Sequence, residues 1–239
     1  MKKFAVVSLL AACAFGISAQ EVSFDSQNEA YLGVRLGLDI SCPGNVNRPS
    51  AIEPNTQIST DMFKNGAGFD LGVVYNIPLF MNLYFEPGVS LYYNTMGVNS
   101  NDAGTDLLPD YIEETSSSIR RLGLRIPLQI GYHADFDNFK VSLFTGPVIS
   151  TGLYGRSHFS GKLQDGWEVT KGVNCYKDSA DPSLNRFDIG WKIGLGASFG
   201  SYVVQLSGTF GMCDMYKSSD GGKFHDNNVA LTVGYNFEL

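Results

Sequence analysis

Beyond its first nineteen residues the chain has no apolar run of the roughly 18 residues that a membrane-crossing helix needs. A helical anchor is therefore excluded, and any passage through a bilayer must use a closed barrel. Charge is scarce as well: Asp, Glu, Lys and Arg make up 17% of the 239 residues, with a net charge of −7. An acidic balance of this kind argues against nucleic acid as a partner. Histidine is confined to His133, His158 and His225, and the cysteines match no zinc spacing. The chain carries no phosphate-binding loop and no dinucleotide fingerprint, so no cofactor or metal is expected. What it has in quantity is aromatic side chains, at 13%, and 27 glycines. That mixture favours β structure with tight packing and tight turns, and it is foreign to disorder.

Lys2 and Lys3 precede the apolar run from Phe4 to Phe15, and Ile17-Ser18-Ala19 places a small residue at a cut. This is the layout of a secretory signal peptide, residues 1–19, cleaved before Gln20. Leu10-Ala11-Ala12-Cys13 also resembles a lipoprotein box, although the apolar run before Cys13 is short for one. Loss of residues 1–19 removes two lysines and takes the net charge to −9 (−7 − 2). Cys42, Cys175 and Cys213 remain, an odd number that cannot all pair within one chain. Cys175 with Cys213 is the one pairing between neighbouring loops, and free thiols are the simpler expectation.

The strongest pattern is an alternation of period two, repeated eight times. In residues 122–132, Leu122, Leu124, Ile126, Leu128, Ile130 and Tyr132 alternate with Gly123, Arg125, Pro127, Gln129 and Gly131. Strictness over this length marks a strand whose two faces meet different surroundings. The rule also holds for 32–40, 69–77, 83–93 and 187–199. It holds again for strands carrying Phe139 to Ile149, Tyr202 to Phe210 and Val229 to Leu239. Short turns at 78–82, 134–138 and 200–201 alternate with long polar connections at about 41–66, 95–118, 155–185 and 213–227. An even strand count with short turns on one rim and long loops on the other is the pattern of bacterial outer-membrane barrels. The expected architecture is therefore all-β, an eight-stranded antiparallel up-and-down transmembrane β-barrel over residues 30–239, with both termini periplasmic. Residues 20–29 would form a short periplasmic lead-in.

No charged residue falls on the eight apolar faces, as hydrocarbon contact requires, since a Lys or Arg at the midplane costs about 2–4 kcal/mol. The opposite faces carry Arg35, Arg121, Arg125, Lys140 and Lys192 with Asp39, Asp70, Glu86, Asp188 and Glu238. An eight-stranded bore is just wide enough for side chains to fill, so these charges predict an ion-paired interior plug. A soluble ligand-binding barrel would place the apolar face inside instead. Tyr31, Phe69, Tyr75, Tyr93, Tyr132, Phe139, Phe187, Tyr202, Tyr235 and Phe237 cluster towards strand ends, as interfacial aromatic belts do.

The chain ends Thr232-x-Gly234-x-x-Phe237-x-Leu239, which resembles the terminal signal read by the barrel-assembly machinery; that pattern usually closes on an aromatic, where this chain has Leu239. Arg125-Ile126-Pro127-Leu128 and Phe85-Glu86-Pro87-Gly88-Val89 resemble the PorT-like outer-membrane β-barrel family. The resemblance implies an outer-membrane barrel meeting outer-membrane lipid, lipopolysaccharide and the assembly machinery. It transfers little function, because members differ in role.

His158-Phe159-Ser160, with Glu168 nearby, resembles the His-x-Ser of outer-membrane lipid A deacylases, but it falls in a loop beyond the fifth strand. A serine nucleophile needs a base in hydrogen-bond reach and a third group to orient it, and no catalytic residue is assigned. Asp102, Asp106, Asp110, Glu113 and Glu114 form an acidic outer loop without the order of a dedicated calcium site. The expected function is a non-enzymatic, monomeric barrel with an interaction or envelope-structural role. The alternatives are a conduit for small solutes or hydrophobic molecules and, last, a lipid-modifying enzyme.

Overall fold

The computed structural model describes residues 30–44, 46–49, 57–60, 63–98, 112–136, 138–163, 168–177, 183–217 and 223–239. The signal-peptide reading of 1–19 and the acidic residues Asp102, Asp106 and Asp110 lie outside them. In chain order the strands are β1 (Tyr31–Ser41), β2 (Val46–Pro49), β3 (Gln57–Thr60), β4 (Phe63–Lys64), β5 (Gly66–Pro78) and β6 (Leu83–Val98). They continue with β7 (Ile112–Phe136), β8 (Phe139–Leu163), β9 (Glu168–Asn174), β10 (Phe187–Phe199), β11 (Tyr202–Gly211) and β12 (Asn228–Glu238). Eight of these, β1, β5, β6, β7, β8, β10, β11 and β12, form a closed antiparallel barrel. The seam joins β12 to β1 in unbroken register from Tyr31 opposite Glu238 to Ser41 opposite Asn228. No helix among the described residues is long and apolar enough to cross a membrane.

The alternation read from the sequence becomes a radial division. Leu38 is 66% exposed and Leu195 57%, on the outer wall, whereas Glu86 and Gln129 are 2% and 3% exposed, facing the axis. Leu, Ile, Val and aromatic side chains clad the outer wall along the stretch from Leu122 to Tyr132 and its neighbours on the other strands. A patch of that extent is untenable in water and is what hydrocarbon demands. On this wall the Trp191 indole N–H donates to the Thr145 hydroxyl at 2.8 Å. At the periplasmic rim the aromatics pack in pairs, Phe139 against Phe136 and Phe199, Tyr235 against Tyr202 and Phe237.

Turn chemistry fixes the periplasmic hairpins. Met81 and Asn82 adopt φ of 53° and 61° between β5 and β6, the two consecutive left-handed residues of a tight hairpin whose twist matches its strands. Gly200, at φ 55°, serves the β10–β11 turn.

Several boundaries differ from the sequence reading. Residues 95–98 and 112–118 are strand rather than loop, as are 155–163 and 168–174, because β6 to β9 continue past the membrane. There both faces meet water or protein, so the period-two signal fades while the hydrogen-bonded ladder persists. Parts of 41–66 form the β2–β3 hairpin and β4, which pairs with the end of β6. The 134–138 turn is tighter than expected, since β7 runs to Phe136 and β8 starts at Phe139. Tyr31 points into the bore rather than joining an aromatic belt.

Candidate functional site

The lumen holds the charged residues, and it is layered. At the periplasmic mouth a cavity of about 470 Å³ is lined by Tyr31, Tyr84, His133, Phe139, Lys140, Asn236 and Glu238 among others. Asp135 organises its wall, standing 3.6 Å from both the Lys140 ammonium and the His133 ring and accepting a hydrogen bond from Asn82 at 3.2 Å. Lys140 and Glu238, expected inside the bore, are exposed at this rim.

Further in, Glu86 is the hub of a buried cluster. Its Oε2 accepts the Tyr31 hydroxyl at 2.6 Å and the Arg35 guanidinium at 3.3 Å. The Arg35 head group fits only because Gly33 and Gly234 leave its path open; a Cβ at either would collide with it. Asp39 pairs with Arg125 at 3.0 Å, and the Arg125 guanidinium lies 4.4 Å from the Tyr92 ring centre. Both cations therefore have a carboxylate partner, and Arg125 also has an aromatic face to rest on. Asp70 and Lys192 also face the bore.

Towards the outside, Arg121 is fully buried and bonded to Asp226, and its Nε donates to Asn94 at 3.1 Å. Asn94 in turn donates to Ser41 at 3.2 Å. Asp188 accepts the backbone N–H of Cys213 at 3.2 Å, tying the segment after β11 to the wall of the bore. Asp226 and Asp135 were missed in the sequence because they lie where a connection and a turn were read. Asp226 stands two residues before β12, where no alternation marks it, and Asp135 continues the inward-facing odd positions of β7 past the expected end of that strand.

Above this layer the bore ends in an apolar cap of Phe63, Met96, Val98, Ile119, Cys175, Tyr176, Leu184, Met215, Tyr216 and Phe224. Met96, Val98 and Ile119 are the axis-facing residues of β6 and β7 carried beyond the membrane. Backbone bonds stitch the rest across them: Leu184 N–H to Cys175 O at 2.7 Å, Asn185 N–H to Met215 O at 2.8 Å and Met215 N–H to Phe224 O at 3.0 Å. The Asp214 carboxylate adds bonds from the N–H groups of Tyr216 and Phe224. Cys42, Cys175 and Cys213 are free thiols; burial in the cap pushes that of Cys175 up to about 11.

No group of three or more metal-ligating side chains occurs among the described residues. His158 and Ser160 lie on β8, opposite Gly172 and Thr170, and Glu168 lies on β9 opposite Lys162, so this trio sits on strands rather than in a loop. His158 and Ser160 share no hydrogen bond in the described structure.

A closed eight-stranded barrel with a hydrocarbon-facing wall and a charged lumen defines an integral outer-membrane β-barrel protein. The chain belongs to the family described as outer membrane protein beta-barrel domain, which matches residues 14–217, and its location is the outer membrane. Similar solved structures include Ail, the attachment invasion locus protein of Yersinia pestis, in complex with the heparin analogue sucrose octasulfate (13% identity, covering 87% of this chain and 99% of that one, TM-score 0.35). Neisserial surface protein A is similar at 12% identity, covering 86% and 97%, with TM-score 0.36. OprG from Pseudomonas aeruginosa is similar at 12% identity, covering 91% and 100%, with TM-score 0.46. A comparison with curated protein sequences found no match.

Proposed function

We propose that the protein is a non-enzymatic, non-conducting barrel that anchors an external β-structure in the outer membrane, serving as an interaction surface or a structural element of the envelope. The observation that carries this reading is the apolar cap standing over the Arg121–Asp226 pair. A hydrated solute would have to cross a layer dominated by apolar side chains, with only the Tyr176 and Tyr216 hydroxyls as polar side-chain groups besides the Cys175 thiol, and then break a buried ion pair. Below the cap, the inward-facing Arg35, Asp39, Asp70, Glu86, Arg121, Arg125, Asp188 and Lys192 act as the plug, with Lys140 and Glu238 at its periplasmic edge. The long ladders of β6 to β9 beyond the membrane supply the external surface.

Planar-bilayer recording tests it. The purified barrel should give no steady openings, and the triple variant I119S/M215S/F224S, which breaks up the cap, should raise conductance. Steady openings of useful size from the unaltered protein would overturn the reading in favour of a conduit. Lipid A from cells with and without the protein should be identical by mass spectrometry; a change would establish enzymatic activity instead.

The same proposal takes residues 1–19 as a cleaved leader, 20–29 as a periplasmic lead-in and the barrel as monomeric. Thr232, Gly234, Phe237 and Leu239 on and just after β12 would present the signal for the assembly machinery. The PorT-like motifs at 85–89 and 125–128 belong to this reading as its finer family assignment.

A further inference from the structure

One strip of the outer wall departs from the apolar rule. Along β7 the lipid-facing series ends at Leu122 and the next outward residue is Arg120; along β8 it ends at Tyr154 and the next is Arg156. The register sets Arg120 directly opposite Arg156. One step further out, Lys64 of β4 stands opposite Gly97 of β6, which faces Ser118 of β7. Lys64, Arg120 and Arg156 are all exposed. Among the described residues, no carboxylate forms an ion pair with any of them. Like charges directly opposite on neighbouring strands repel, and the Arg156 guanidinium is accordingly turned away from Arg120, onto β9 on the far side of β8.

Height on the barrel identifies what that is. The strip begins one outward step beyond Tyr93, Leu122 and Tyr154, which are neighbours across β6, β7 and β8. The lipid-facing stretch from Leu122 to Tyr132 has the length of roughly 9–11 residues that a tilted strand needs to cross the hydrocarbon. Arg120 and Arg156 therefore stand level with the outer-leaflet head groups. Arg156 lies across β9, in the space Gly172 leaves by having no side chain, which keeps its charge on the wall of the barrel.

We propose that Arg120 and Arg156, flanked by Lys64, bind the phosphate of an outer-leaflet glycolipid. Facing residues on paired strands have Cβ atoms about 5 Å apart, so one phosphate group can be held between both side chains once Arg156 swings back from β9 across β8. Two planar guanidinium forks match phosphate oxygens in a way ammonium groups do not. The site rests on the outer-membrane location alone and holds whether or not the external loops meet a partner.

Native mass spectrometry of the full barrel in detergent tests it, with bis-phosphorylated lipid A, the same lipid A stripped of phosphate, and a soluble heparin fragment as probes. Each basic residue at a membrane surface contributes about fivefold, so R120Q/R156Q should weaken phosphorylated lipid A binding roughly thirtyfold. R120K/R156K, which keeps the charge and loses the forks, should lie between. K223Q, which removes a positive charge elsewhere on the surface, should bind as the unaltered protein does. Heat-modifiable migration on gels confirms that each variant is folded, and the comparison of the two lipids on the unaltered barrel needs no variant. Equal binding of both lipids, or unchanged binding by R120Q/R156Q, overturns the proposal. Displacement of the glycolipid by heparin at equal concentration also overturns it, by making the strip a site for soluble polyanions.

Discussion

Removing Glu86 alone should cost far more than removing Glu86 and Arg35 together. Glu86 is 2% exposed and Arg35 5%, and a single carboxylate oxygen serves both the Arg35 guanidinium and the Tyr31 hydroxyl. In E86M the guanidinium is stranded in the bore with its carboxylate partner gone and the Val34 carbonyl left as its acceptor, a loss of about 3–5 kcal/mol. The orphaned hydroxyl adds to this by less than its usual ~1–3 kcal/mol, because both bonds end on the same atom. In R35M/E86M the stranded charge disappears and apolar side chains of similar length fill the space. The remaining cost is the Tyr31 hydroxyl, and R35M/E86M/Y31F should come within about 1 kcal/mol of the unaltered protein. The assay is urea unfolding of the barrel in lipid vesicles, followed by tryptophan fluorescence and heat-modifiable migration. An E86M penalty below about 1 kcal/mol, or a double variant as damaged as the two single changes summed, would refute the reasoning.

Leu195→Arg and Leu124→Arg place a charge on the hydrocarbon wall and should lower the folded fraction by about 2–4 kcal/mol near the midplane. Gln129→Ala and Gln205→Ala, facing the bore, should cost much less, and equal yields from both sets on a gel-shift assay would reverse the facing. Met81→Gly should stabilise by about 0.5–1 kcal/mol, because Met81 sits at φ 53° without a left-handed preference; urea midpoints measure it. The Cys175 thiol, raised from 9.0 to about 11, favours the folded cap below pH 9 and loses that contribution as pH climbs from 9 to about 11. Alkylation of Cys175 followed by peptide mass spectrometry should therefore be slow at pH 8 and rise steeply towards pH 11, while a rate already flat by pH 9 would contradict the burial.

The barrel was legible because a bilayer imposes one rule on every strand that crosses it. Val34, Leu71, Leu91 and Leu206 face lipid for the same reason, so eight short patterns reinforced one another. Legibility stopped at the membrane surface. The run Glu113-Glu114-Thr115-Ser116-Ser117-Ser118 reads as loop from composition, yet β7 passes through it, paired with β8. The charges inside were visible as residue types, but their pairing was not. Asp226 reaches Arg121 from a segment that carries no strand pattern, and Tyr31 looks like any interfacial aromatic until its hydroxyl is seen on Glu86. The cap was the least visible of all, because its residues come from distant segments and no single stretch among them is markedly apolar.

The seam between β1 and β12 has a consequence for biogenesis. Every hydrogen bond along it joins the first barrel strand to the last, so the cylinder cannot shut before β12 arrives. Until Phe237 and its neighbours are delivered, Tyr31 to Ser41 present a bare edge that must be shielded from other chains. Loop closure of that span is the slowest kind of contact to form, which makes β12 the timing element of barrel closure.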